Sequence, residues 1–94
     1  MGSTKESMVD KAKRDLAERL GLSPDEIREV EVSDCDFPDM SLGAPLDDEM
    51  SAQMISSGWQ IRLEGDGKSY EYRADKYQLR LHNYNGSNFV IVSD

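Results

Sequence analysis

The sequence is short of several things. Among its 94 residues there is one cysteine, one histidine and one tryptophan, and aromatic residues make up only 7%. A lone Cys35 cannot close an internal disulfide. With His82 it supplies two of the roughly four ligands that a structural zinc site needs. No apolar run approaches the ~20 residues of a membrane-spanning helix. The first residues carry no apolar stretch behind them, so no signal peptide is expected. Residues 1–4 read as a disordered tail or a cloning remnant. The compartment stays open: cytoplasmic by default, or that of a secreted protein from which the domain was excised. No Gly-x-Gly-x-x-Gly or phosphate-loop pattern is present, so nucleotide binding has no support. Neither Cys35 nor the serines, with His82 as the only imidazole, give a nucleophile–base–orienter set. No enzyme is expected.

Basic residues are also scarce. Eleven stand against nineteen acids, for a net charge of −8. That balance disfavours nucleic acid and anionic membrane surfaces, and permits basic partners or cations. The excess is not spread evenly. Residues 1–24 sum to +1 and residues 51–94 to 0, while residues 25–50 hold ten acids against Arg28 alone and sum to −9.

What remains reads as one α+β domain over residues 5–94. Met8, Ala12, Leu16 and Leu20 recur at helical spacing over residues 5–20, with basic residues in the second half and Gly21 where a C-terminal cap belongs. Ser23-Pro24-Asp25-Glu26 reads as one further helical turn with its own N-cap. Val30 and Val32 alternate with Glu29, Glu31 and Ser33, as in a half-buried strand, and a bulge or strand end is expected near Asp34. Trp59, Ile61 and Leu63, then Tyr70, Tyr72 and Ala74, flank Asp66-Gly67. That dipeptide suits a type I′ turn and sets Leu63 opposite Tyr70, Ile61 opposite Tyr72, Trp59 opposite Ala74 and Arg62 opposite Glu71. Tyr77, Leu79 and Leu81 form a third alternating set. A turn at Asn85-Gly86 would pair Leu81 with Val90 and Leu79 with Val92, placing Phe89 and Ile91 on the other face. The expected architecture is one N-terminal helix packed on an antiparallel sheet of four or five strands. Val9, Ala12, Leu16, Leu20, Val30, Val32, Trp59, Ile61, Leu63, Tyr70, Tyr72, Leu79 and Leu81 form its core.

Between these elements, residues 38–50 form a long acidic loop with two prolines, a length at which loops are often functional. Asp34, Asp36 and Asp39 bring three hard oxygen ligands close together, a set suited to Ca²⁺, although the spacing is not that of an EF-hand. The plain alternative is a solvated acidic surface with no cofactor.

The loop also carries a resemblance. Phe37-Pro38-Asp39-Met40-Ser41-Leu42-Gly43-Ala44-Pro45, followed by Ala52-Gln53 and Gly58-Trp59 leading into a strand, resembles a family of small, uncharacterised prokaryotic domains. Their pattern is aromatic-Pro-Asp-x-Ser-Leu-Gly-x-Pro, then Ala-Gln, four residues and Gly-aromatic. The likeness covers about residues 10–81. Relatives often carry Cys after the motif glycine; Ala44 stands there in this chain, so no role of that cysteine is carried over. The run from Gln53 to Gly58-Trp59 is similar to the cystatin hairpin, one residue longer. The Gly-Trp strand and Tyr70-x-Tyr72 are similar to PepSY domains. Both likenesses imply helix-on-sheet architecture, and the cystatin one implies a peptidase-inhibitor-like activity.

The expected function is a small non-enzymatic binding module that engages a protein or peptide partner, basic by charge, through residues 38–58. Ser41, Leu42, Gly43, Gln53 and Gly58 are its candidate contacts. The alternatives are a calcium-binding module at Asp34, Asp36 and Asp39, and a chain that is monomeric or a weak dimer through the apolar strand at residues 89–92.

Overall fold

A computed structural model describes residues 4–38, 42 and 55–93. It shows one helix packed on a five-stranded antiparallel sheet, the expected α+β fold. Helix α1 spans Lys5–Leu20. Thr4 caps its start, accepting a hydrogen bond from the Ser7 N–H at 3.1 Å, and Gly21 caps its end at φ 71°. A 3₁₀ turn at Pro24–Glu26 follows, where the Glu26 carboxylate accepts from the Ser23 N–H. The strands are β1 (Arg28–Phe37), β2 (Ser56–Gly65), β3 (Lys68–Ala74), β4 (Gln78–Tyr84) and β5 (Ser87–Ser93), side by side in chain order. β1 and β5 are therefore the two edges.

The helix buries Met8, Ala12 and Leu16 against Ile61 and Leu63 of β2, Tyr72 and Ala74 of β3, and Leu79 and Leu81 of β4. The central hairpin has the expected register: Leu63 meets Tyr70, Ile61 meets Tyr72, Trp59 meets Ala74 and Arg62 meets Glu71. Asp66 and Gly67 both take positive φ, 53° and 76°, as a type I′ turn requires. Tyr72 is buried, and its hydroxyl donates to Asp15 of α1 at 2.7 Å. Asp15 also accepts from Arg19, whose guanidinium lies 5.3 Å from the Tyr84 ring centre and 4.7 Å from that of Phe89. One carboxylate thus ties the middle of the sheet to the last turn of the helix and, through Arg19, to β5.

Three expectations need correction. β1 runs on to Phe37, and its irregularity falls at Val30, between Glu29 (opposite Leu63) and Glu31 (opposite Arg62). Val30 is the extra residue and stands 44% exposed, outside the core. Tyr77 is exposed and precedes β4, because Asp75 holds a tight turn: its Oδ1 accepts from the N–H groups of Tyr77 and Gln78. In the last hairpin the Asn85-Gly86 turn forms and Leu79 meets Val92, but Leu81 meets Phe89 and Arg80 meets Val90. The slip begins at Asn83, which takes φ 55° and receives the Asn88 side chain on its N–H. It ends at Ile91, the extra residue on β5. Phe89 is thereby turned to the helix side, where it packs against the core, and Val90 to the other face.

Candidate functional site

Asp39, Ser41, Gly43 and Gln53 lie outside the described residues. Leu42 is fully buried. Its carbonyl accepts a hydrogen bond from Arg73 Nη1 at 3.1 Å, and the same guanidinium stands 5.9 Å from the ring centre of buried Phe37. The expectation that Leu42 is presented to a partner is corrected by this burial: the side chain is scaffold on the sheet face opposite the helix. Gly58 is buried as well, and a Cβ there would lie 2.0 Å from the Ala74 carbonyl oxygen. That position demands glycine for packing, which accounts for it without a partner.

The same face carries a polar network. Glu71 accepts from Arg73 Nε at 2.7 Å and from Gln60 at 2.8 Å, and Arg62 approaches it at 3.9 Å. Burial pushes its carboxyl up, but the hydrogen bonds from Arg73 and Gln60, with the charges of Arg73 and His82, outweigh burial and hold it below its usual 4.5. Arg73 and Arg80 sit directly opposite each other on β3 and β4, and Arg80 is buried. Arg73 joins this network to Phe37 and Leu42.

The concave surface lies elsewhere, between α1 and the edge strand β1. Val9, Val30 and Val32 give this groove of about 540 Å³ its apolar lining, and Lys5, Glu6, Asp10, Lys13, Glu29 and Glu31 its polar one. Two local features build it. The helix places Val9 one turn after Lys5, so the start of the helix opens over β1. The bulge at Glu29/Glu31 turns Val30 away from the sheet's own core and into the groove, a known use of bulges beside binding sites. Lys13 pairs with Glu29 at 3.7 Å and neutralises that end. Among the described residues nothing pairs with the outer edge of β1.

Further along β1 on the same face lies a smaller cavity. Asp34 stands opposite Trp59, and Asp36 opposite Ser57, whose hydroxyl donates to Asp36 Oδ1 at 2.9 Å. Asp34, Asp36, Ser57, Gly58, Trp59 and Lys76 line it, with Lys76 on the β3 side of the indole and the aspartates on the edge side. Both aspartates are exposed, and neither forms an ion pair among the described residues. Among those residues no group of three His, Cys, Asp or Glu side chains is placed to hold a metal. The third aspartate of the calcium set, Asp39, lies outside those residues.

Cys35 and His82 lie on β1 and β4, strands that run three spacings or roughly 14 Å apart, too far for a hydrogen-bonded pair. The Cys35 thiol makes a long contact to the Asp36 carbonyl, at 3.8 Å. At the other edge, Phe89, Ile91 and Val92 pack against the core, and the extra residue at Ile91 interrupts the ladder. The sequence reads as a strand apolar on both sides; in the structure Val90 alone of the four apolar residues lies outside that packing.

The α1–β1 groove is the feature that reading the sequence missed. Its residues were assigned to the core by their alternation, and Glu29-Val30-Glu31 holds no local signal for the bulge that exposes Val30. The one available hint was the acidic flank on each side of it, costly for a strand buried on both faces.

No helix among the described residues is long and apolar enough to cross a membrane. Comparison with curated proteins finds no match, and comparison with solved structures finds none. A family model does match, over residues 9–82, a span that includes most of α1, the groove lining except Lys5 and Glu6, β1 to β3 and most of β4. The chain belongs to the family described as a domain of unknown function, DUF8738.

Proposed function

We propose that this chain is a non-enzymatic binding module that takes up an extended protein segment along the outer edge of β1, in the groove beside α1. The observation that supports the reading is the apolar lining of Val9, Val30 and Val32 at a strand edge whose backbone groups have no partner among the described residues. Strand addition at such an edge draws its affinity from main-chain hydrogen bonds and its specificity from pockets under alternate side chains. The edge is also guarded: charged residues and a bulge are the usual devices against indiscriminate pairing. A site of this design admits a chosen strand and rejects a random one.

This reading moves the contact surface of the expected binding module from residues 38–58 to β1. Phe37 and Leu42, two residues of the loop motif, are committed to packing. Amide chemical-shift mapping with a panel of extended peptides tests the assignment. Shifts confined to residues 5–13 and 29–36 are expected. Because Val30 is exposed, Val30→Glu should leave the melting temperature nearly unchanged while abolishing those shifts. Shifts that map to β4 and β5, or binding indifferent to Val30→Glu, would defeat it.

A further inference from the structure

Resting on that reading of the groove, we infer that the segment it takes is basic and ordered: it runs antiparallel to β1 with the sequence basic-x-basic-x-apolar. The apolar side chain sits on Val9, Val30 and Val32. The two cations reach Asp34 and Asp36, beside the Trp59 ring.

The order follows from register. Val32, Asp34 and Asp36 share one face of β1, the helix side, since their partners Ile61, Trp59 and Ser57 do. Side chains on one face of a strand repeat every two residues, about 6.6 Å. A strand laid beside β1 therefore presents its own alternate side chains to the Val32, Asp34 and Asp36 positions in turn. Every neighbouring pair in this sheet is antiparallel, and antiparallel pairing is slightly the more stable. Running against β1, the incoming strand meets Asp36 first, then Asp34, then the valines.

The charge follows from what is already paired. At the Val30 end, Lys13 offsets Glu29, and Lys5 stands beside Glu6 and Asp10 in the groove lining. At the other end Asp34 and Asp36 keep exposed carboxylates with no ion pair among the described residues. Asp36 is oriented by the Ser57 hydroxyl. Trp59 supplies the aromatic surface on which a Lys or Arg head gains a cation–π contact, and Lys76, across the indole, supplies the repulsion that holds an incoming cation to the edge side. The groove is therefore apolar at one end, where Lys5 and Lys13 stand among Glu6, Asp10, Glu29 and Glu31, and at the other end offers two aspartates without an ion pair among the described residues beside an aromatic ring.

Four fluorescent nine-residue peptides test this against the full chain by anisotropy. Their central five residues are Lys-Ser-Lys-Ser-Val, the reversed Val-Ser-Lys-Ser-Lys, Glu-Ser-Glu-Ser-Val and Ser-Ser-Ser-Ser-Val. Two weak ion pairs and one cation–π contact predict that the first binds about tenfold tighter than the serine peptide. The glutamate peptide should bind weakest, and the advantage of lysine should shrink with added salt. The double variant Asp34→Asn, Asp36→Asn should bring the lysine peptide down to the serine level. If the lysine and serine peptides bind alike while both shift the amides of 29–36, the groove reading stands and the charge inference falls. If the reversed peptide binds as well as the first, the stated order falls. A lysine preference that survives the double variant is attraction to the chain's overall charge and also overturns the inference. If none of the four binds, the groove reading itself is overturned.

Discussion

At the scale of single residues, the molecule separates positions that hold the fold from positions that face outward, and the most conspicuous sequence features fall mainly in the first group. Gly58 was a candidate contact because it precedes Trp59. One of its Cα hydrogens points at the Ala74 carbonyl, and a methyl carbon in its place would meet that oxygen at 2.0 Å. The opposing atom is backbone and cannot rotate aside. Gly58→Ala should therefore cost at least the roughly 1–3 kcal/mol typical of overpacking, read as a lowered denaturant midpoint with an unchanged slope. A loss under about 0.5 kcal/mol, the range of ordinary surface changes, would show that the end of β3 yields easily and that the glycine has another purpose. Leu42 is the companion case: buried, at φ 60°, with its carbonyl held by Arg73. Trp59, expected in the core, packs against it in part, and with Asp34 and Asp36, singled out as calcium ligands, it also lines the open part of the proposed site.

At the scale of elements, each hairpin tests how far turn chemistry sets register. Asp66-Gly67 and the alternation on both flanking strands demand the same pairing, and the pairing forms. A Cβ on Gly67 would touch nothing within 4 Å, so Gly67→Ala isolates the conformational cost of φ 76°. Thermal or urea melts should show a loss of roughly 1–2 kcal/mol with the register intact. A loss several times larger would mean that the turn does more than reverse the chain. The helix, its caps, the 3₁₀ turn and this hairpin were legible because local signals and hydrophobic period agree there. The last hairpin was only half legible. Its turn residues were right, but Asn83 adopts a left-handed conformation that asparagine tolerates. One residue of slip then exchanges the faces of Phe89 and Val90. The decisive contacts, Arg19 with the Tyr84 and Phe89 rings, lie far apart in sequence. In β1 the bulge at Val30 erased the alternation that marked it as core, and the groove beside it was invisible for that reason.

At the scale of the whole molecule, strand order separates charge from charge. The acids of β1, Glu29, Glu31, Asp34 and Asp36, occupy one edge, and the uncharged β5 occupies the other. Between them, two titratable groups in the middle of the sheet govern how stability responds to pH, from opposite sides. Glu71 is held below its usual 4.5, its hydrogen bonds from Arg73 and Gln60 outweighing the cost of burial. A carboxyl depressed by folding stabilises above the unfolded value and loses that contribution as pH falls through the folded one. The stability difference between wild type and Glu71→Gln should therefore be constant from pH 7 down to about 5 and shrink below 4.5. Tyr72 is displaced the other way. Burial pushes its hydroxyl well above the usual 10.0, helped by its bond to Asp15 and that residue's charge, with Arg19 pulling against them. A group raised by folding stabilises below the unfolded value and loses that contribution as pH climbs above it. Tyr72→Phe should cost about 1 kcal/mol near neutrality, through the lost bond to Asp15, and the deficit should narrow above pH 10, where the unfolded tyrosine ionises and the buried one does not. Urea melts of the three proteins from pH 3 to 11 decide both. Curves that stay parallel at either end would mean that the corresponding network, Arg73–Glu71–Gln60 or Tyr72–Asp15–Arg19, is not closed in solution.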